Sequence, residues 1–172
     1  MPLTLTKETG AGLADANAYA DVADGDAYHE GHLYASAWTG ATADNKAIAL
    51  VMATRLLDAE YQFSGTRAVA SQALQWPRLN CPSPDDDEAL ADDNVPKAVV
   101  QAACELAREL LIADRTAAPA GEGLKYYNNG SVQTGYDKTD TRPIIPAVVQ
   151  ALLAKYGALL KARSGSVKLV RV

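Results

Sequence analysis

The chain has 172 residues, of which 48% are hydrophobic, and its formal net charge is -5 at pH 7. This length fits one domain, and the apolar fraction is enough to build a core without a cofactor. An acidic balance argues against a dedicated nucleic-acid-binding protein, which normally has a basic surface. No apolar run approaches the ~20 residues that span a bilayer, and no signal peptide is evident, so we expect no membrane association. Cys81 and Cys104 are too far apart for a zinc motif and predict no disulfide framework.

The apolar periodicity predicts a mainly α fold, a small helical bundle of about four helices with an inserted β-hairpin and extended N- and C-terminal arms. In chain order we expect a short helix at about 23–33, a long one at 43–63 capped by Thr42, a third capped by Asn94 that ends near Asp114, and a fourth from Pro146 to about Leu160. We predict a single domain over 1–172, with a helical core at 17–115, a hairpin or loop insertion at 121–142, a C-terminal helix at 146–161 and an extended tail at 162–172.

The hairpin is the only strong β signal. Two strand-like segments, 124–128 and 132–136, flank Asn129-Gly130, which is a favoured pair for a type I′ turn. Its aromatic residues are Tyr126, Tyr127 and Tyr136.

Candidate catalytic and metal-binding residues are few. His29 and His32 are spaced i, i+3 and could serve a metal, but no matching pair of ligands is evident, so we interpret them as surface histidines. The acidic run at 85–93 lacks the residue order of a calcium loop and indicates a solvated loop. No serine lies in Gly-x-Ser-x-Gly and no Gly-rich phosphate loop is present. The sequence therefore predicts no catalytic residue, no metal and no cofactor, and a protein that is not an enzyme.

Trp76-Pro77-Arg78 and the hairpin tyrosines allow two interpretations. Trp76 and the tyrosines could stack on single-stranded nucleic acid, with Arg67, Arg78 and Lys125 as phosphate contacts. Alternatively, Trp76-Pro77-Arg78 is a structural anchor that fixes the connection between the second and third helices in the core, and the tyrosines cover one face of the hairpin. The acidic net charge favours the second interpretation.

The C-terminal tail is basic and apolar, with no acidic residue from position 161 onward. One interpretation is a solvated end. The other is a docking strand that adds to a sheet of another protein, because apolar and basic residues alternate as they do in strand addition. The residues concerned are Lys161, Arg163, Val167, Lys168, Leu169, Val170, Arg171 and Val172.

Several segments together resemble a known family. The segment Asn17-Ala18-Tyr19-Ala20-Asp21-Val22 is similar to the start of small tailed-phage and prophage proteins, and the similarity continues through Trp38, 45–50 and 53–58. Its most specific part is Gln72-Ala73-Leu74-Gln75-Trp76-Pro77-Arg78 followed by Val95-Pro96-Lys97-Ala98-Val99. The chain thereby resembles the head–tail connector proteins of tailed phages, also called adaptor or head-completion proteins. Members of this group are often labelled DnaT-like single-stranded-DNA-binding proteins.

The resemblance implies a structural virion protein. Such proteins form a ring, usually of twelve subunits, beneath the portal protein, and they join capsid to tail. The resemblance implies that the tail reaches the portal, that the hairpin points toward a downstream tail or nozzle protein, and that DNA passes through the lumen without sequence-specific binding. The expected location is the head–tail junction of the virion, assembled in the host bacterial cytoplasm. The alternative is a DnaT-like single-stranded-DNA-binding replication accessory protein.

Overall fold

The computed structural model describes residues 3–84, 88–117, 126–129, 132–135 and 142–160, with side chains except in the two short stretches 126–129 and 132–135. The helices are α1 (Val22–Glu30), α2 (Ser36–Thr39), α3 (Ala43–Glu60), α4 (Lys97–Ile112) and α5 (Ala147–Leu153). The strands are β1 (Tyr61–Phe63), β2 (Thr66–Arg67), β3 (Arg78–Leu79), β4 (Tyr126–Asn129), β5 (Val132–Gly135) and β6 (Gly157–Leu159). The prediction of a mainly α fold with a small hairpin is confirmed.

The core forms around α4, which packs against α1, α2, α3 and α5. Apolar side chains recur on its inward face because Val99, Leu106 and their neighbours follow the helical period. The largest contact is with α3, whose Leu50 and Leu57 have no exposed surface. Among the described residues, no helix is long and apolar enough to cross a bilayer.

Two helices end earlier than their periodicity predicts, because their C-terminal ends pair as strands. The predicted helix at 43–63 stops at Glu60, and the predicted helix up to Leu160 stops at Leu153. Strands β1 and β6 follow and pair antiparallel, with Tyr61 opposite Leu159 and Phe63 opposite Gly157. A Cβ at position 157 would lie 2.5 Å from the Gln62 carbonyl oxygen, so glycine permits this close approach.

The start of α4 also differs from the prediction. Pro96, rather than Asn94, is the N-cap residue, and no side chain caps the helix. Asn94 is exposed. The helix ends at Ile112, two residues before the predicted end near Asp114.

The hairpin forms, with a shifted turn. In its register Tyr126 lies opposite Gly135 and Asn129 opposite Val132. Asn129 therefore belongs to β4, whereas the prediction placed it in the turn. Among the described elements, β4 and β5 contact chiefly each other. Gly130 and Tyr136, and the whole predicted docking tail at 161–172, lie outside the described residues.

The N-terminal segment, expected as an extended arm, packs on the body of the domain. Lys7 and Ala18 form a parallel bridge, and the Ala73 N–H donates to the Leu13 carbonyl oxygen at 3.0 Å. Glu8 organises the turn between them, because its carboxylate accepts the N–H groups of Gly10, Gly12 and Leu13 at 2.8 to 3.0 Å.

Candidate functional site

The segments that carry the family resemblance meet at one buried hydrogen-bond network. The Tyr19 hydroxyl donates to the Asp58 carboxylate. It also accepts the backbone N–H groups of Gln75 and Trp76, at 3.1 and 3.3 Å. The second carboxylate oxygen of Asp58 accepts the Gln75 N–H at 3.0 Å. This network thereby joins three segments of the chain: the strand-like entry to α1, the end of α3 and the Trp-Pro-Arg element.

Burial sets the protonation of this network. Desolvation raises the pKa of Asp58 to about 6, although the hydrogen bonds from Tyr19 and Gln75 oppose the shift by favouring the carboxylate. Burial, with the nearby Asp58 charge, also raises the pKa of Tyr19 well above its ordinary value. Tyr19 therefore stays a neutral phenol that donates a hydrogen bond, and the two groups act as a structural link between segments.

Trp76 fills the space beside this network. It has no exposed surface and packs edge-on against Phe63, with the ring centroids 5.6 Å apart, and against Tyr156 at 6.2 Å. Within the described residues its indole N–H has no hydrogen-bond partner. An indole in this position cannot stack on a nucleic-acid base.

Arg78 is turned inward to the protein backbone. Its guanidinium donates to the carbonyl oxygens of Ser64 and Gly65, both at 2.6 Å, and to Gln75 at 3.0 Å. Only 6% of the residue is exposed, and burial lowers the pKa of Arg78 from its ordinary value. Arg78 closes the loop between β2 and β3 and is unavailable as a phosphate contact. Of the proposed phosphate contacts, Arg67 is exposed, whereas Lys125 and the tyrosine side chains lie outside the described part.

The interpretation of both histidines as surface residues is wrong for His29. It is 2% exposed, its Nε2 lies 3.1 Å from the Cys104 carbonyl oxygen, and its ring packs against Trp38. Burial lowers the pKa of His29, which favours the neutral ring. The contact with Cys104 on α4 gave no sequence signal, because Cys104 lies 75 residues away in the chain. In the part of the chain that the structure describes, no three His, Cys, Asp or Glu residues are placed to hold a metal ion.

A line of alternating charges along α4 was missed by sequence reasoning. Arg108 donates to Glu105 at 2.6 Å and to Glu109 at 2.7 Å, and Arg115 pairs with Glu109 at 3.0 Å. Arg115 also donates to the carbonyl oxygens of Pro143 and Ile144. The spacing of Glu105 and Arg108 by three residues is the signal that could have indicated this network. It fixes the end of α4 to the segment that enters α5.

An open groove of about 730 Å³ lies between α1 and α4. It is lined by Asp24, Ala27, Tyr28, Gly31, His32, Asn94, Val95, Lys97, Val100, Gln101 and Cys104. The loop from α1 to α2 borders it and carries Leu33 and Tyr34, which are 86% and 73% exposed. This groove and loop are the features of the described surface best suited to a protein contact.

Two of the described lysines are paired with carboxylates. Lys7 pairs with Asp24 at 2.6 Å, and Lys46 pairs with Asp26 at 2.7 Å. Both tryptophans are fully buried. Neither tryptophan can therefore serve as a stacking platform for single-stranded nucleic acid.

Comparison with known proteins adds one finding. A family model with the description "Putative DnaT-like ssDNA binding protein" matches residues 3–172, almost the whole chain. No curated protein and no solved structure matches the sequence.

Proposed function

We propose that this chain, which belongs to the DnaT-like single-stranded-DNA-binding family, serves as a structural subunit of a tailed-phage head–tail connector. The proposal proceeds from the sequence resemblance to connector proteins, which runs through residues 17–115. The protein acts by assembly with copies of itself and with neighbouring proteins, and performs no catalysis.

The observation that carries the proposal is the position of the residues that give the resemblance. Tyr19, Asp58, Trp76 and Arg78 are all used inside the domain, in hydrogen bonds and packing. These residues therefore specify a scaffold, and the buried Trp76 is not available to stack on a nucleic-acid base. In a ring subunit such a scaffold would hold the domain together while its partners contact the outer surface.

The acidic net charge of -5 supports the same role. DNA that passes through a connector has to slide, and a basic lining would bind its phosphates. In this proposal the helical core forms the ring wall, the hairpin faces a downstream tail protein, and the tail from residue 161 attaches to the portal. The ring lies at the head–tail junction of the virion.

Electron microscopy tests this proposal directly. The full chain is imaged alone and mixed with the portal protein encoded beside it in the same phage or prophage genome. We expect a ring that caps the narrow end of the portal. If the two proteins do not associate at any concentration, the connector proposal is wrong.

Single-stranded-DNA binding is the second candidate, because the matching family model is described by that activity. The binding surface would then have to come from residues outside the described part, which include Lys125, Lys161, Arg163, Lys168 and Arg171. Fluorescence anisotropy with a labelled oligothymidine strand tests this role. Binding that weakens steeply with salt and is lost on removal of residues 161–172 would support it, and absence of binding at low salt would exclude it.

A further inference from the structure

The loop between α1 and α2 presents two adjacent large side chains to solvent. Leu33 is 86% exposed and Tyr34 is 73% exposed. Single exposed hydrophobic residues are common, but two consecutive ones on an ordered loop form a small apolar projection. The loop is held by two hydrogen bonds, from the His32 N–H to the His29 carbonyl oxygen and from the Tyr34 N–H to His32 Nδ1, both 3.1 Å long. Because the projection is already ordered, binding through it costs little conformational entropy.

The α1–α4 groove lies beside the loop and has an apolar wall. Its volume is about 730 Å³, and its apolar wall consists of Ala27, Val95, Val100 and Cys104. His32 lines the groove, and Leu33 is the next residue, so the projection and the groove are neighbours on one face of the molecule.

The charges at the two features are opposite. Glu30, the last residue of α1, is exposed three positions before Leu33. Lys97, the first residue of α4, is exposed at the groove. Neither side chain has an ion-pair partner among the described residues. A molecule that placed its Leu33–Tyr34 projection in the groove would bring an acidic group toward an unpaired cation.

We propose that this face binds a second copy of the chain, with the Leu33–Tyr34 projection of each copy in the α1–α4 groove of the other and Glu30 facing Lys97 across the contact. A two-fold interface uses the same patch on both subunits, so it requires a projection and a groove that lie side by side, as they do here. An unrelated partner would need only one of the two features. The inference goes beyond the connector role, because such a pair would form from free chains without a portal.

Charge reversal tests the proposal in the full-length protein. Sedimentation equilibrium of the wild type is expected to show a monomer–dimer equilibrium that stops at two copies. Glu30→Lys and Lys97→Glu are each expected to weaken dimerisation by about tenfold or more, because each creates a like-charge contact. The double variant Glu30→Lys with Lys97→Glu restores an attractive pair, and its dimerisation is expected to return toward the wild-type value.

Two further variants distinguish this contact from nonspecific hydrophobic association. Leu33→Ser with Tyr34→Ser is expected to give a monomer, whereas Ile48→Ser, which changes an exposed hydrophobic residue on α3, should leave the dimer unchanged. Circular dichroism checks that each variant is folded. The proposal is overturned if the wild type stays monomeric at every concentration, if it grows beyond two copies, or if the double charge reversal fails to restore association. Growth beyond two copies would favour the ring of the connector proposal over this dimer, whereas a failed charge reversal would leave the ring on the portal unaffected.

Discussion

The hydroxyl of Tyr19 donates its hydrogen bond to a carboxylate 39 residues later in the chain, that of Asp58. The same hydroxyl accepts two backbone N–H groups from the Trp-Pro-Arg element. One phenol therefore holds together three segments that are separate in sequence. The three segments that carry the resemblance therefore depend on one another for the fold of the domain.

Stability should depend on pH through Asp58. Its pKa is raised to about 6 in the folded protein, from an ordinary value of 3.8, because the carboxyl group is buried. The folded state then holds the proton more tightly than the unfolded state, so this contribution to stability is present below about pH 4 and is lost as pH rises through 6. The expected change is about 3 kcal/mol, since one pKa unit corresponds to about 1.4 kcal/mol.

Urea unfolding of the wild type and Asp58→Asn between pH 4 and pH 7.5 checks this prediction. The pKa of the buried His29 is lowered from its ordinary value, so its contribution to stability changes with pH in the opposite sense and the two proteins must be compared at each pH. The free energy of unfolding of the wild type, relative to the variant, is expected to fall between about pH 4 and pH 6 and then to level. A difference that stays constant over this range would show that the pKa of Asp58 is unperturbed.

Replacement of Trp76 should reduce stability without an effect on DNA. Trp76→Ala removes a fully buried ring, and large-to-small changes of this kind cost about 3–5 kcal/mol. Trp76→Phe should cost clearly less, because it keeps an aromatic ring against Phe63 and removes an indole N–H that lacks a partner among the described residues. Urea unfolding measures both effects. Normal stability combined with weakened single-strand binding would mean that Trp76 acts in stacking instead.

Gly10 and Gly31 form a matched pair of glycine substitutions. Gly10 has φ +101°, and an added Cβ would lie 1.9 Å from the Asp93 carbonyl oxygen. Gly10→Ala is therefore expected to cost about 2–4 kcal/mol, from backbone strain and the displacement of the segment at Asp93. At Gly31 no atom lies within 4 Å of the added Cβ, so Gly31→Ala should change the free energy of unfolding by less than about 1 kcal/mol. Equal thermal midpoints for the two variants would contradict the close contact at Gly10.

Local sequence signals predicted the helices of the core well, and long-range partners account for the errors. Thr42 caps α3 as predicted, through a bond from the Asn45 N–H to its side chain. The apolar residues Tyr61 and Phe63 continue the helical period of α3, but they form a strand because β6 pairs with them. That partner lies about a hundred residues later in the chain, and hydrophobic periodicity reports only on local sequence.

The buried polar groups were the hardest to predict for the same reason. Glu8 and Glu105 are each at most 2% exposed, although charged residues are ordinarily found at the surface. The partners of Glu8 are backbone N–H groups at Gly10, Gly12 and Leu13, and no side-chain pattern in the sequence indicates such partners. The sequence therefore predicted the scaffold, whereas the network that joins its segments became visible only in three dimensions.

The docking role of the C-terminal tail can be tested by truncation. The described part of the body ends at Leu160, whose N–H donates to the Glu60 carbonyl oxygen at 2.7 Å and so closes the β1–β6 pair. Removal of residues 164–172 leaves that pair and the buried core in place, so the free energy of unfolding should change by less than about 1 kcal/mol. The deleted segment contains Lys168 and Arg171 among alternating apolar residues, the pattern typical of a strand that adds to another sheet.

Binding of the truncated chain to the portal protein is then expected to be lost, as measured by pull-down and by electron microscopy of the mixture. A second variant, Val170→Pro in the full-length chain, is also expected to weaken binding to the portal protein, because proline removes an N–H that strand addition uses. If both the truncated chain and Val170→Pro attach to the portal as the wild type does, the tail is not the docking strand. Attachment would then have to come from the hairpin or from the helical body.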